Sequence, residues 1–411
     1  MTVRFHQRRV QAASSSTRDS RIAFGALFVC AWSGNQFSPL LIMYRDVDHY
    51  SAAMVTAFLG IYIVGLVPAL IVSGAASDHI GRRAPMAFAV CAGILGSALL
   101  ACGDFGQGVI LIGRMFAGIS VGTAMAVGTT WLKELSRAPF DPTADDGAGA
   151  RRASLAFTLG SALGALVAGG IAQWAPWPHV LPFVLHTLVA IPFLWWLRSA
   201  TETVRGGNNQ SLRSALRVTS VRHRRFIRVV VVYCPWLFVA CGLSYGYQPV
   251  LLADAAGGLG LAYATLLNVT ALISGALIQP AAKHLDTVLS ARGILVALLL
   301  LVVGLAIMIV AVAVEDLLAG VLASVVLGVG FGIGLVSGLL EVQRLAPPHE
   351  LAKLTGIFYA VAYTGFAMPT LLAALTPPFT TVQLLIVLIG LLMASFTFVL
   401  NGSRKHLPPR N

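Results

Sequence analysis

The chain has 411 residues, of which 57% are hydrophobic and 11% charged, and its formal net charge is +12. With a mean hydropathy of +0.82, it is far too apolar for a soluble protein of this length. A charge this positive would suggest nucleic-acid binding in a soluble domain. Here the charge is spread over short loops between apolar segments, where it would face anionic lipid headgroups. The composition therefore predicts an integral membrane protein that binds no nucleic acid.

Apolar segments long enough to cross the membrane recur along the whole chain. Because about 20 apolar residues cross roughly 30 Å of hydrocarbon, they predict twelve transmembrane spans. The predicted spans are 22–44, 51–76, 84–103, 108–132, 153–174, 179–198, 228–252, 259–282, 293–314, 316–340, 354–375 and 381–400. The predicted organisation is an N-terminal tail (1–21), a six-helix bundle (22–198), a basic linker (199–227), a second six-helix bundle (228–400) and a C-terminal tail (401–411).

Basic residues are distributed very unevenly about these spans. Of the 28 Lys and Arg residues, 26 lie in the tails, the loops and the linker with its two bordering span residues, Arg198 and Arg228, which the twelve spans place on one side of the membrane. The other two are Arg45, on the opposite side, and Arg114, within span 4. The positive-inside rule then predicts that both tails and the linker are cytoplasmic. We call that side the basic side and the other the opposite side.

The two halves of the chain share residues at a nearly constant offset. Cys-Ala-Trp at 30–32 recurs as Cys-Pro-Trp at 234–236, and Glu-Leu-Ser-Arg at 134–137 recurs as Glu-Val-Gln-Arg at 341–344. The offsets are 204 and 207 residues, at equivalent places in the predicted topology. Duplicated six-span halves are a known transporter plan, in which the substrate site lies between the halves near the midplane.

The loop between spans 2 and 3 carries the most specific motif. Gly74, Asp78, Gly81, Arg82 and Arg83 fit the pattern G-x-x-x-D-x-x-G-R-R, which resembles the loop signature of the major facilitator superfamily. The resemblance covers essentially the whole chain and implies an all-α membrane fold of twelve transmembrane helices in two pseudo-symmetric six-helix bundles. It also implies that this loop is a conformational latch. Physically, the first glycine would allow close helix approach, the second a tight turn, and the aspartate could bond to either arginine.

Glutamates end spans 4 and 10 on the basic side, and each is followed three residues later by arginine. The spacing of Glu134 and Arg137, and of Glu341 and Arg344, predicts a local ion pair. The resemblance implies, in addition, that such glutamates bridge to the arginines of the loop motif. We interpret all four as residues of a cytoplasmic gate rather than as substrate ligands.

Arg114 is the one basic residue predicted within a span, about 9 Å from its opposite-side end at 1.5 Å per residue. An arginine in hydrocarbon needs a partner, because its burial costs on the order of 2.5 kcal/mol or more. Asp46 and Asp48, at the opposite-side end of span 1, are the expected partners. The resemblance implies a role in proton coupling for Arg114. The alternative is that its side chain reaches the membrane interface and has no further role.

Spans 5 and 11 contain residues that shape helices. Span 5 partly resembles the antiporter motif of drug:proton exporters, but Ala165 stands where that motif has proline, so the span is expected to be straighter. The alternative is a glycine face for close helix packing. Its glycines are Gly160, Gly164, Gly169 and Gly170. In span 11, Gly365 and Pro369 predict a kink.

Several polar and aromatic residues lie deep in spans 1, 7, 8 and 11, which line the substrate cavity in the superfamily. The cavity candidates are Trp32, Asn35, Gln36, Trp236, Tyr245, Gln248, Asn268, Tyr359 and Tyr363. Polar groups at this depth are costly unless they are paired or face a cavity, so each either bonds another helix or contacts substrate. No acidic residue lies near the middle of a span, which argues against a site for organic cations and leaves neutral, zwitterionic or anionic amphiphiles.

The sequence encodes no phosphate-binding loop of the G-x-x-x-x-G-K-[ST] type and no metal-type cysteine spacing, so we expect no cofactor and no metal. Energy must then come from a gradient. The predicted function is a non-enzymatic, monomeric, proton-coupled exporter of small amphipathic molecules in the cytoplasmic membrane, working by alternating access. The alternatives are a metabolite importer or uniporter of the same fold and, in another class, a membrane-embedded lipid-modifying enzyme or a transport-dead sensor.

Overall fold

The computed structural model describes residues 2–144, 148–204, 218–285, 290–347, 350–376 and 378–405. Within them, eleven helices are long and apolar enough to cross a membrane. In chain order they are span 1 (Arg18–Asp46), span 2 (Ala52–Ile80), span 3 (Arg83–Ala101), span 4 (Gln107–Leu135), span 5 (Ala148–Trp174), span 7 (Phe226–Leu251), span 8 (Ala253–Ala282), span 9 (Arg292–Ala313), span 10 (Leu317–Leu345), span 11 (Lys353–Leu375) and span 12 (Thr381–Ser403). Part of the predicted linker, 205–217, and the tail from residue 406 lie outside the described residues.

Span 6 is the shorter apolar helix Leu181–Leu197. Its 17 residues give a length of about 26 Å at 1.5 Å per residue, at the lower end of what a membrane-spanning helix needs. With it, the described helices make up the twelve spans that the hydropathy pattern predicts.

Span 1 is interrupted near its opposite-side end. A helix covers Thr2–Asn35, so it also runs through most of the predicted N-terminal tail. A short 3-10 turn, Ser38–Leu40, and a second helix, Leu41–Asp46, follow it. Pro39 explains the break, since proline removes a backbone donor and clashes with the preceding turn.

Other spans also depart from regular α-helix. Span 4 contains a π-helical segment at Ala124–Gly128, and span 7 contains two, at Phe226–Val231 and Leu243–Tyr247. Span 11 changes to 3-10 geometry at Thr364–Ala367, where the glycine and proline predicted a kink. Span 5, in contrast, is one unbroken helix through Ala165, as the missing proline predicted.

The chain divides into two compact units. The first contains Met1–Asn35, Val64–Gly164 and His179–Leu216, and the second contains Gln36–Ile63, Ala165–Pro178 and Arg217–Asn411. The opposite-side ends of spans 1, 2 and 5 therefore pack with the C-terminal half of the chain. The two bundles predicted at 22–198 and 228–400 do not coincide with these packing units.

Each unit has its own apolar core. In the first unit the core surrounds the fully buried Trp131 of span 4, whose indole nitrogen donates to the Thr201 carbonyl at 3.2 Å. In the second unit, spans 8 and 10 lie with their backbones in contact, because a side chain at Gly328 or Gly332 would overlap the backbone of span 8. Small residues of this kind permit the closest helix packing in membranes.

Candidate functional site

In the first unit, the loop motif and Glu134 form one buried ionic network. The Arg82 side chain, 7% exposed, donates two hydrogen bonds to the Glu134 carboxylate, at 2.8 and 3.2 Å. Its remaining nitrogen donates to Asp78 at 2.8 Å and to the Ser77 hydroxyl at 2.5 Å. The forked guanidinium thus holds the end of span 4 and the end of span 2 together. The Glu134 carboxylate accepts hydrogen bonds from Arg82 and Thr203, whereas a local pair with Arg137 was expected.

The same loop is fixed by Glu202, which the sequence analysis did not identify. Its carboxylate accepts hydrogen bonds from the backbone N–H groups of Arg82 and Arg83, at 2.8 and 3.0 Å. It therefore caps the positive N-terminal end of span 3. Gly81 has a φ of +89°, and a side chain there would overlap the Glu202 carboxylate. The sequence did contain a signal for this residue, because Glu202 is an acidic residue in a predicted linker that is otherwise basic.

The two remaining residues of the motif have different roles from one another. The Arg83 side chain donates to the Leu197 carbonyl at 3.3 Å and to the Arg198 carbonyl, so it satisfies the C-terminal end of span 6. Gly74 was expected to permit close helix approach, and this is wrong. A Cβ at Gly74 would lie 3.7 Å from the Ala126 side chain, an ordinary van der Waals contact.

In the second unit, Glu341 is paired with an arginine that the sequence analysis missed. Arg225 and Glu341 are 0% and 3% exposed, and the guanidinium donates two hydrogen bonds to the carboxylate, at 2.8 and 2.7 Å. Arg225 also donates to the Ser403 carbonyl at 2.9 Å. The expected local pair of Glu341 with Arg344 is present but longer, at 3.4 Å. The sequence offered no signal for this pair, since Arg18, at the repeat offset of 207 residues from Arg225, donates to Ser199 and not to Glu134.

A further carboxylate, Glu350, holds the end of the linker. It accepts four hydrogen bonds, from the backbone N–H and the hydroxyl of Thr219 and of Ser220, at 2.6 to 3.1 Å. Hydrogen bonds from Ser220 and Thr219 stabilise the ionised carboxylate and lower the pKa of Glu350 from 4.5 to about 2. The start of span 7 is therefore tied to the loop between spans 10 and 11.

Arg114 is 1% exposed and donates to the Gly34 carbonyl of span 1 at 3.1 Å. Because this burial is within the protein, the alternative in which its side chain reaches the membrane interface is wrong. The expected partners of Arg114 are at the end of span 1, where Asp46 accepts a hydrogen bond from Arg45 at 2.6 Å. The pairing of Arg114 with Asp46 or Asp48 stays a prediction.

On the opposite side of the second unit, polar groups join the ends of the two halves of the chain. Arg45, after span 1, contacts the Val250 carbonyl and the Asp254 carboxylate, the latter at 3.2 Å. Gln173, at the end of span 5, donates to the Gly258 carbonyl at 2.8 Å and accepts from the Ala262 N–H at 3.0 Å. We call Arg45, Asp254 and Gln173, with the groups they contact, the opposite-side clamp.

Four of the nine cavity candidates are aromatic residues of the second unit, and two of them, Tyr245 and Tyr363, belong to one aromatic group. The Tyr363 and Phe238 rings are stacked with centroids 3.8 Å apart, and the Phe366 ring lies 5.1 Å from Phe238 and 6.1 Å from Tyr245. Tyr359 is on the same helix as Tyr363. Trp236, 9% exposed, donates to the Ser395 hydroxyl at 3.0 Å. This group offers flat apolar surfaces with few charges, which suits an amphipathic ligand.

The other five candidates are polar or indole groups. Asn35 donates to the Ser161 hydroxyl at 3.0 Å in the first unit, and Gln248 donates to the Gly320 carbonyl at 2.7 Å in the second. Gln36 and Asn268 are fully buried. Within the described residues, the buried Trp32 indole nitrogen and both amide atoms of Asn268 have no hydrogen-bond partner.

The described part of the chain contains no cluster of His, Cys, Asp and Glu residues that could hold a metal ion. The acidic residues of its spans lie at span ends, with Asp19, Asp78, Glu134 and Glu341 on the basic side and Asp46 and Asp254 on the opposite side.

Comparison with known proteins places this geometry in a family. Residues 23–369 match the family model described as Major Facilitator Superfamily, and no curated protein matches the chain in sequence. In fold, the chain is similar to a POT family transporter in complex with 5-aminolevulinic acid, with a TM-score of 0.75 at 15% identity over 94% of this chain and 96% of that one.

Two further solved structures are similar in fold. For a D-xylose–proton symporter the TM-score is 0.69 at 15% identity, over 96% of this chain and 98% of that one. For the human organic anion transporter MFSD10 (TETRAN) it is 0.64 at 17% identity, over 93% and 99%. The predicted family and twelve-helix fold are confirmed, and membership of this family points to a transporter rather than an enzyme.

Proposed function

Since the chain belongs to the Major Facilitator Superfamily, we propose that it is a proton-coupled secondary transporter that exports small amphipathic molecules by alternating access. Both termini and the linker are proposed to be cytoplasmic, and the membrane to be the cytoplasmic membrane. The basic side is then the side of substrate entry, and the opposite side is the side of release.

The observation that carries this proposal is the opposite-side clamp. Its polar bonds lie beside a small apolar contact of Ile42 with Ala253 and Ala264, and the side chains of Arg45 and Asp254 are 21% and 98% exposed. Exposed ion pairs contribute only about 0–1 kcal/mol each, so the clamp can break and reform during a transport cycle. A bundle meant to stay closed would be expected to join these ends through a larger apolar contact.

The proposed substrate class follows from the side chains that lie near the middle of the spans. The aromatic group of span 7 and span 11 supplies apolar surface, and the described spans carry carboxylates only near their ends. A site without a buried carboxylate has no counter-ion for an organic cation. We therefore propose neutral, zwitterionic or anionic amphiphiles as substrates.

Proton coupling is proposed to involve Arg114, Asp46 and Asp48. Asp46 is next to the clamp, since its carboxylate accepts a hydrogen bond from Arg45 at 2.6 Å. A buried guanidinium such as Arg114 can hold a carboxylate in its ionised form until a conformational change separates the two. Proton binding and opening of the opposite side would then be linked.

Vesicles of defined orientation test both the direction and the coupling. A thermal-shift screen of the purified protein against metabolites and drugs supplies a binder, and its uptake is then measured in inside-out and right-side-out vesicles. An exporter concentrates the binder in inside-out vesicles with an acidic interior, and a protonophore abolishes this. Concentration only in right-side-out vesicles with an acidic exterior would establish the importer alternative, which Ala165 and the unbroken span 5 favour.

For the coupling residue, we predict that Arg114→Ala abolishes concentrative uptake while binder affinity falls less. Arg114→Lys should rescue poorly, because a compact ammonium cannot reproduce a forked guanidinium contact. Binding of the same molecule to the variant in the thermal-shift assay shows that the variant is folded. If Arg114→Ala concentrates the binder as the parent does, the coupling role is wrong.

A further inference from the structure

Asn268, in the middle of span 8, is a polar residue whose burial has no internal explanation. Its side chain is 0% exposed, and neither its amide nitrogen nor its amide oxygen has a hydrogen-bond partner among the described residues. The amide can donate two hydrogen bonds and accept two. Burying such a group unpaired costs free energy, so unpaired buried amides are rare in native proteins and call for a functional reason.

The other polar residues of the same helix do not share this property. Thr265 and Thr270 each donate to the carbonyl four residues earlier, at 2.7 Å, and Ser274 donates to the carbonyl three residues earlier, at 3.1 Å. These threonine and serine hydroxyls are therefore satisfied within span 8, and the Tyr263 hydroxyl donates to the Leu317 carbonyl of span 10 at 3.0 Å. Asn268 is the exception in this helix.

Asn268 lies close to the residues of span 8 that contact the opposite-side ends of spans 1 and 5. Ala264 packs against Ile42 of span 1, and a side chain at Gly169 of span 5 would overlap Thr265. Asn268 follows these two residues of span 8 by four and three positions, so it lies on the same helix face, one turn nearer the basic side. The amide therefore lies directly below the closed ends of spans 1 and 5.

A second feature of the same region also points to ligand binding. The π-helical segment Leu243–Tyr247 of span 7 contacts the helix that carries Asn268. Such π-helical turns are rare and occur frequently at functional sites. The segment includes Tyr245, which belongs to the aromatic group, so an aromatic residue and the unpaired amide lie on neighbouring helices.

We propose that Asn268 binds a neutral substrate group that presents a donor and an acceptor side by side, as the N–H and C=O of a lactam do. This inference rests on the proposed transport function and narrows its substrate class. A carboxylate offers only acceptors and an ammonium only donors, so either would leave one atom of the Asn268 amide unmatched. A lactam edge matches both atoms with two parallel hydrogen bonds.

The full burial of Asn268 adds a conformational condition. The amide becomes accessible only when the ends of spans 1 and 5 separate from span 8. The closed state then carries the cost of an unpaired amide, which a ligand or water removes once the opposite side opens. Asn268→Leu, which keeps the size and removes the amide, should therefore raise the melting temperature of the ligand-free protein.

The test uses two neutral probes that differ in one hydrogen-bond donor, 3,4-dihydroquinolin-2-one and its N-methyl derivative. Binding to the purified full-length protein is measured by thermal shift and by calorimetry. We expect the parent to bind the N–H lactam about tenfold or more tightly than the N-methyl lactam, because the latter leaves the amide oxygen of Asn268 unpaired. Asn268→Leu should remove this preference.

Thr270→Val is the matched control, since its hydroxyl is satisfied within span 8 and its loss should leave the preference unchanged. The proposal is overturned if neither lactam shifts the parent, if the parent does not distinguish the two, or if Asn268→Leu keeps the preference. These outcomes concern binding alone. A lack of concentrative uptake in vesicles would instead contradict the proposed transport function. The lactam preference is measured by binding alone, so it would still test the role of Asn268.

Discussion

Two buried arginine–glutamate pairs close the basic-side ends of spans 4 and 10, and they differ in how completely they are enclosed. Glu134 is 29% exposed and its partner also contacts Asp78, whereas Glu341 and Arg225 are 3% and 0% exposed. Loss of one partner of a fully buried pair leaves an uncompensated charge, which is more costly than loss of a partly hydrated one. The two glutamates, which occupy equivalent positions in the two halves of the chain, therefore contribute different amounts to the free energy of unfolding.

We predict that Glu341→Gln lowers the free energy of unfolding by about 3–5 kcal/mol, because Arg225 then keeps its charge in an apolar surrounding. Glu134→Gln is the matched control, with an expected loss of about 1–2 kcal/mol, since Asp78 still faces Arg82. Apparent melting temperatures in one detergent give the comparison. Equal losses in the two variants would contradict this account of the pairs.

Glu350 gives the protein a pH dependence whose sign follows from its contacts. Its pKa in the folded protein is lowered to about 2, so its hydrogen bonds stabilise the folded state above the ordinary value of 4.5. That contribution is lost as the pH falls from 4.5 towards 2. The melting-temperature difference between the parent and Glu350→Gln should therefore shrink over this range. A difference that stays constant with pH would show that the carboxylate charge is not involved.

Among single residues, the sequence predicted the contacts that belong to a local motif. It missed contacts between residues that are far apart in the sequence. Asp78 with Arg82 follows from their spacing, and the family resemblance implied the bridge from Glu134 to that arginine. Glu202 and Arg225 contact residues more than 100 positions away. No local pattern encodes which carboxylate meets which arginine, since that depends on how the helices pack.

Among the elements, span 5 shows how differently the glycines of one helix are used. A side chain at Gly160 would overlap the Phe28 carbonyl of span 1, while one at Gly170 would meet nothing within 4 Å. The interpretation of span 5 as a close-packing face therefore applies to Gly160 and not to Gly170. Proximity to the backbone matters because a carbonyl, unlike a flexible side chain, cannot move aside at low cost.

We predict that Gly160→Ala destabilises the protein by about 1–3 kcal/mol through overpacking and lowers its transport rate. Gly170→Ala, in the same helix, is the control and should be neutral or slightly stabilising, because alanine is the better helix former by up to about 1 kcal/mol. Melting temperature and vesicle uptake at matched expression are the readouts. A neutral Gly160→Ala would mean that spans 1 and 5 are less tightly packed than described.

The sequence predicted helix interruptions only where proline or glycine marks them. Gly365 and Pro369 predicted the change at Thr364–Ala367 in span 11, and the absence of proline predicted an unbroken span 5. The π-helical segments Ala124–Gly128 of span 4 and Leu243–Tyr247 of span 7 were not predicted, although Gly128, Gly246 and Pro249 lie in or next to them. They depend on side-chain packing between helices, which hydropathy and residue spacing do not contain.

For the whole molecule, hydropathy and charge were enough to predict twelve spans, because the membrane imposes both length and apolarity on each helix. The packing units were not predictable in the same way. The ends of spans 1, 2 and 5 group with the C-terminal half, and this depends on the conformation adopted rather than on the order of the chain. Such a grouping is what a transporter closed on its opposite side requires.

Alternating access is therefore tested most directly at the opposite-side clamp. Spin labels at Val47 and Leu259, which are 60% and 58% exposed, report the distance across it once the exposed Cys91 and Cys102 are replaced by serine. We predict one predominantly short distance in the parent. The Arg45→Ala, Gln173→Ala double variant should show an additional, longer distance. The control Arg152→Ala, on the basic side, should behave as the parent. The same short distance in all three proteins would contradict the claim that this clamp opens and closes.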